Sequence, residues 1–157
     1  PTNLYGPGDN YHSENSHVVP ALIFRFHTAK IKKLPNVTIW GTGKPKREFL
    51  YVDDMAKASI YLMNLEKKDY YKQTQPMCSH INVGSGHDLT IKELANTIKK
   101  IVGYEGKLIF DQTKPDGIMR KFLDTSKIDN LDFKSQVSLT DGLTKTYKNF
   151  IEAIKIK

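Results

Sequence analysis

A histidine, two arginines and a tryptophan carry the chemistry this sequence offers. His17 closes the stretch PTNLYGPGDNYHSENSH and directly precedes an apolar run. It stands at a loop-to-helix junction, where a side chain can face a cleft. An imidazole with its ordinary pKa of about 6.5 can give or take a proton near neutral pH. Arg25 follows two helical turns later, on a broadly similar side. Arg47 opens the run REFLYV, where a forked guanidinium can hold two phosphate oxygens at once. Trp40 is the only tryptophan and ends a β-branched run beside a glycine turn. Asp116 and Lys121 lie together in KPDGIMRK. Each also has a plainer reading. His17 would cap local backbone, Arg47 would pair with Glu48 at a strand end, Trp40 would pack in the core, and KPDGIMRK would be a solvated loop. His12, His27, His80 and His87 have no comparable context and read as structural or exposed.

Composition narrows the partners. The single cysteine, Cys78, excludes an internal disulfide and a cysteine-built zinc site, and no metal site is predicted. A reducing cytoplasm fits that usage best. The net charge of +7 attracts phosphates of any kind. The lysines are scattered, however, with no basic stripe interleaved with aromatics, so a nucleic-acid partner is not expected. No apolar stretch approaches the roughly 18 residues of a membrane span, so no membrane partner is expected either.

The elements that must position these residues follow from periodicity. HVVPALIFRFHTAK places Val19, Leu22, Ile23 and Phe26 on one helical face. NVTIW and REFLYV read as strands, and DDMAKASIYLMNL as a helix with Asp53 at its N-cap. Its predicted inward stripe is Val52, Met55, Ala56, Ile60 and Met63. Residues 66–76 read as a polar loop and HINVGSG as a strand. LTIKELANTIKKIVG is a helix with a Thr90–Glu93 capping box and a Gly103 stop. GKLIFD is a further strand, SKIDNL a short helix, and SLTDGLTKTYKNFIEAIK a final helix with Leu143, Tyr147, Phe150, Ile151 and Ile154 inward. Irregular alternation of strands and helices makes the class α/β. GTGKPK and GSGHD lack the spacing of a dinucleotide fingerprint and read as strand-end turns.

The run Arg47-Glu48-Phe49-Leu50-Tyr51-Val52-Asp53-Asp54 resembles the pyrophosphate-arginine segment of extended short-chain dehydrogenase/reductases that act on nucleotide sugars. NLYGPG is similar to that family's Asn-x-Tyr-Gly-Pro turn, and INVGSG before a Thr-capped helix matches its next landmark. NSHVVPAL, WGTGKPKREFL, QPMCSHINVGSG and KPDGIMRKFLD resemble, more narrowly, the GDP-L-fucose synthase family. Its members are NADPH-dependent epimerase-reductases of GDP-4-keto-6-deoxymannose.

That resemblance implies that residues 1–157 are the C-terminal, substrate-binding part of such an enzyme, lacking most of the Rossmann domain. The glycine fingerprint, the Tyr-x-x-x-Lys pair and the catalytic cysteine would lie in a preceding half, so the piece alone is expected to be inactive. Cys78 does not match that cysteine. The resemblance makes His17 the proton donor and puts Pro1, Thr2, Asn3, Leu4 and His17 beside the NADP(H) nicotinamide. It assigns Arg25, Trp40, Arg47, Asp116 and Lys121 to the GDP-sugar. It further implies a homodimer. Phe24 departs from the family, where a second basic residue is frequent. GDP-heptose enzymes share these motifs. Another nucleotide-sugar epimerase or dehydratase, and a non-catalytic nucleotide-binding module, are the alternative readings. A lobe made to dock on a cofactor domain should expose apolar surface.

Overall fold

Phe49, Leu50 and Tyr51 alternate between two apolar clusters, as period-two side chains of a buried strand must. A computed structural model describes residues 1–12 and 15–155; Ser13 and Glu14 of the opening turn stretch lie outside the described residues. In chain order the elements are β1 (Asn3–Tyr5), α1 (Val18–Ile31), β2 (Asn36–Trp40), β3 (Lys46–Tyr51), α2 (Val52–Met63) and α3 (Lys67–Gln73). There follow β4 (Asp88–Thr90), α4 (Ile91–Val102), β5 (Lys107–Asp111), β6 (Arg120–Lys121), α5 (Ser126–Asp129) and α6 (Leu139–Lys155). The α/β class is therefore observed.

Two sheets carry the fold. β3 is the hub of the first. Its opening half pairs antiparallel with β4 and parallel with β6, and its closing half pairs parallel with β1. β2 and β5 form a separate parallel pair. The larger cluster packs α1, α4 and α6 against Tyr5, Phe49 and Tyr51 and against Val37 and Ile39 of β2. The smaller cluster joins Leu50 to Ala58, Val83 and Ile128.

α4 follows its sequence signals closely. Thr90 Oγ1 accepts the Glu93 N–H at 3.1 Å, Glu93 Oε2 accepts the Thr90 N–H at 2.8 Å, and Gly103 ends the helix at φ 69°.

Elsewhere the structure corrects the sequence reading. Residues 67–73 form α3, not loop. No residue of it is buried, so no apolar stripe announced it; its Asp69–Lys72 pair at 2.7 Å is local. HINVGSG is extended but makes no ladder. Thr2 N–H reaches Val83 O, while the Ser85 and Gly86 N–H groups turn to a side-chain carboxylate. Asp53 is not the N-cap of α2. The N-cap lies two residues earlier, at Tyr51, and Asp53 lies in the first turn, where its charge suits the helix dipole.

The inward face of α2 also differs. Asp54 and Ala58 are buried, while Val52, Ala56, Ile60 and Met63 are exposed. The cause is Asp54: its Oδ2 accepts the N–H groups of Gln136 and Val137, both at 2.8 Å, and this draws a polar face inward. Ile154 of α6 is likewise exposed.

Glu48 is the deepest charged residue, at 0 % exposure. Oε1 accepts Ser85 N–H at 2.7 Å and Gly86 N–H at 2.9 Å, and Oε2 accepts Leu123 N–H at 3.3 Å. Gly84 must lack a side chain here, since a Cβ would lie 2.3 Å from Oε1. The sequence-based pairing of Arg47 with Glu48 is therefore not formed: adjacent strand residues point to opposite faces.

Two predictions follow from this packing. Glu48→Ala strands backbone donors in the interior and should lower stability by roughly 3 kcal/mol; Glu48→Gln, which keeps an acceptor oxygen, should lower it less. Urea midpoints of the two variants check the order. His27 supplies a pH signature. Its Nδ1 lies 3.0 Å from the Tyr147 hydroxyl, and burial, aided by the Lys30 charge, holds its pKa below the usual value. The unfolded imidazole then takes a proton before the folded one. The contribution is complete above about pH 6.5 and is lost as the pH falls through the lowered folded pKa. Urea midpoints measured from pH 8 down to pH 5 should fall less steeply in His27→Gln.

Candidate functional site

Trp40 does not pack in the core: the last residue of β2 is 63 % exposed. Two cations lie over its ring, Arg25 Cζ at 5.4 Å and Lys114 Nζ at 5.7 Å from the centroid. Arg25 comes from the half-buried flank of α1, where Nη1 reaches Thr38 O at 3.5 Å. Lys114 comes from the loop after β5. Sequence reasoning missed it, although it begins the KPDGIMRK segment.

That loop is fastened at two points. Asp116 Oδ1 accepts the Thr42 N–H at 2.8 Å and Oδ2 accepts the Thr42 hydroxyl at 2.6 Å. These bonds hold the Asp116 carboxyl below the usual carboxylate range. Arg47 Nη1 donates to Ile118 O at 2.6 Å and to Lys46 O at 2.7 Å. Lys121 is exposed on β6, in register with Arg47. Arg120 between them is paired with Asp88 at 2.6 Å. Among the described residues, Arg25, Arg47, Lys114 and Lys121 form no ion pair. Arg25 and Lys114 thus flank an exposed aromatic ring, and Arg47 and Lys121 stand on the strands that receive the same loop, an arrangement suited to an anionic ligand with a ring.

Thr2 and Asn3 lie beside the same strand. Thr2 Oγ1 and Asn3 Nδ2 both donate to Glu48 O, at 3.2 Å and 2.8 Å. Their side chains therefore fasten β1 to β3, while Pro1 and Leu4 are exposed. His17 caps α1 through its backbone carbonyl, which accepts the Ala21 N–H at 2.9 Å. Its exposed ring makes no capping bond. It stands roughly 12 Å along the helix axis from Arg25, since eight residues rise 1.5 Å each. Asp9 is its acidic neighbour: burial raises the Asp9 carboxyl, against the Asn10 N–H and the His17 charge.

The structure thus joins Arg25, Trp40, Arg47, Asp116 and Lys121 through a continuous run of contacts, and leaves His17 at the far end of α1. These residues line an open surface. A cavity of about 840 Å³ is bounded by Tyr5, Phe49, Tyr51, Ser85, Phe133 and Leu139 and touches none of the sequence-predicted residues. A smaller one of about 190 Å³ includes Leu4 and the turn Gly6–Asp9, on the way to His17. Cys78 is half-buried in a turn, with Lys127 Nζ 3.5 Å and His80 Nδ1 3.9 Å from its sulfur, apart from these contacts. No helix of the described residues is long and apolar enough to cross a membrane.

The chain is 55% identical over 152 residues to the GDP-L-fucose synthase of Escherichia coli, covering 97% of this chain and 47% of that protein. A GDP-6-OMe-4-keto-L-xylo-heptose reductase from C. jejuni superposes with a TM-score of 0.85 at 35% identity, over 96% of this chain and 52% of the other. A GDP-L-fucose synthetase from Naegleria fowleri, solved bound to NADP, gives 0.83 at 27% identity, over 98% and 46%. The chain spans about half the length of the curated relatives it matches. Its residues 1–84 match the model of the NAD dependent epimerase/dehydratase family, and the chain belongs to that family.

Proposed function

We propose that this chain is the substrate-binding half of an NADPH-dependent epimerase-reductase that converts GDP-4-keto-6-deoxymannose to GDP-L-fucose. The observation that carries the reading is an exposed Trp40 with Arg25 and Lys114 over its ring, joined through the Lys114 loop to Arg47, which holds Ile118 O and has Lys121 in register beside it. A guanidinium fork suits a diphosphate, and an exposed indole suits a sugar or base face. Asp116 and Lys121 border the nucleotide end. The Escherichia coli relative supports the choice of fucose chemistry; the C. jejuni neighbour supports a GDP-heptose as the second candidate.

The chemistry asked of this chain is a proton transfer. A ketone at C4 of the sugar acidifies the hydrogens at C3 and C5. A base outside this chain removes one as a proton, leaving an enolate, and His17 returns a proton to the opposite face of that carbon. An exposed ring free of capping bonds is what such a donor needs. Pro1–Leu4 and His17 form one edge of the NADP(H) site, Thr2 and Asn3 through backbone because their side chains hold Glu48 O. NADPH, when bound, supplies the hydride that reduces C4. The rest of that site belongs to a cofactor domain packed on the exposed Val52, Ile60 and Met63 of α2. The whole enzyme is read as a cytoplasmic homodimer.

Calorimetry with GDP, UDP and an oligonucleotide tests the binding reading. GDP should bind in preference to UDP, and Arg47→Lys should weaken it roughly tenfold or more, because a point charge cannot grip two oxygens. Oligonucleotide binding that is tighter than GDP binding and steeply salt-dependent would overturn it. The chain alone should not turn over the keto-sugar with NADPH. Joined to the cofactor half of the Escherichia coli relative, it should give net C4 reduction. His17→Gln should then slow epimerisation by roughly 10²–10⁴, the usual worth of a general acid. Redox-neutral products would instead assign it to another epimerase or dehydratase.

A further inference from the structure

The turn between β2 and β3 is built around a carboxylate. Gly41 and Gly43 both take positive φ, 79° and 73°. A Cβ on Gly41 would lie 2.2 Å from Asp116 Oδ1, so only glycine admits the carboxylate this closely. Thr42 between them donates both its N–H and its hydroxyl to Asp116. Both carboxylate oxygens are therefore engaged before any ligand arrives.

At its start the segment that carries Asp116 is held by Asp111 Oδ1, which accepts the Thr113 N–H at 3.0 Å and the Thr113 hydroxyl at 2.6 Å. Lys114 N–H reaches Asp111 O at 3.3 Å, and beyond Asp116 the hold passes to Ile118 O on Arg47 and to Met119 O, which accepts the Lys46 N–H at 2.7 Å. Lys114 itself is exposed, and its ammonium touches Trp40 only through a cation–π contact. Such a contact at an exposed site is too weak to fix a long, flexible side chain unaided. The backbone beneath it is held on one side by the Asp111–Thr113 bonds and on the other, two residues away, by the Thr42–Asp116 clasp, which is the contact that ties the loop to the turn after Trp40.

We propose that Asp116 is a positioning residue: by clasping Thr42 it sets the 111–118 loop so that Lys114 lies over Trp40, and Lys114 joins Arg25 there as a further determinant for the anionic end of a nucleoside diphosphate. The nucleotide part rests on the function proposed above; the clasp stands on geometry alone. Asp116 then acts through the loop, whatever else it borders at the nucleotide end. The low carboxyl pKa that Thr42 imposes keeps the clasp closed through neutral pH.

Trp40 is the only tryptophan, so intrinsic fluorescence reads this place and no other. The test compares quenching by iodide, an anion, with quenching by neutral acrylamide, on the chain at fixed ionic strength. Lys114→Met should lower the iodide constant about twofold and leave acrylamide unchanged, since one of two neighbouring cations is lost. Asp116→Ala should lower iodide quenching to the same degree because the loop no longer presents Lys114. Loss of the Asp116 charge alone would act in the opposite direction and raise it. Asp116→Asn removes that charge but keeps an acceptor for the Thr42 N–H, so it should retain or slightly exceed the original quenching. Thr42→Val combined with Asp116→Ala should be no worse than Asp116→Ala alone, the signature of residues acting as one unit. In a GDP titration followed at Trp40, Lys114→Met and Asp116→Ala should weaken binding roughly tenfold and Asp116→Asn less than threefold, as loss of one charge-assisted contact implies.

Iodide quenching that rises in Asp116→Ala, or an Asp116→Asn variant as impaired as Asp116→Ala, overturns the clasp. If Asp116→Ala does not fold, Thr42→Val and Asp116→Asn carry the same comparison. An original chain that shows the iodide pattern but no response to GDP overturns the nucleotide assignment and the function it rests on, while the clasp stands.

Discussion

The fold is hung from a buried carboxylate that forms no ion pair among the described residues. Glu48 is enclosed completely and is satisfied by three backbone N–H groups from two separate loops. Its own carbonyl takes the side chains of Thr2 and Asn3. One residue of β3 therefore ties together the opening strand, the turn at 84–86 and the segment that follows β6. Burial of a carboxylate is costly unless every oxygen is bonded, and removing one partner leaves the rest stranded. That all-or-none character is what makes Glu48 a registration point, since the alternation of β3 is fixed once it points inward.

The consequence reaches the surface through the neighbouring residue. With Glu48 inward, Arg47 must point outward, where it meets the carbonyl of Ile118 and stands beside Lys121. The loop that Arg47 receives is held at its other side by Thr42, and its Lys114 lies over Trp40 beside Arg25 of α1. The core thus sets the strand, the strand sets the arginine, and two loop contacts set the aromatic platform. Residues that bind ligands commonly sit on loops fixed by a rigid scaffold in this manner.

Much of this was legible in the sequence because the signals were local. The Thr90–Glu93 box and Gly103 bracket α4, and the β-branched run of β2 stops at its glycine turn. Of the residues named by the motifs, Arg25 lies over Trp40 and Lys121 pairs in register with Arg47. What failed depended on distant partners. The inward face of α2 was misjudged because Asp54 is drawn in by Gln136 and Val137, more than eighty positions away. HINVGSG has the composition of a strand, but Glu48 takes its turn N–H groups. α3 buries nothing, so periodicity could not reveal it. Lys114 and Thr42 escaped notice for the same reason: their roles come from a contact between two loops, and neither is unusual for a turn.

The central claim is that an inward Glu48 and an outward Arg47 together create a diphosphate-gripping surface beside Trp40. A crystal structure of the chain with GDP tests it most directly. The account predicts the diphosphate within hydrogen-bonding distance of the Arg47 guanidinium, with Trp40 and Arg25 against the ligand. A diphosphate held elsewhere, with Arg47 still turned only to Ile118 and Lys46, would contradict it.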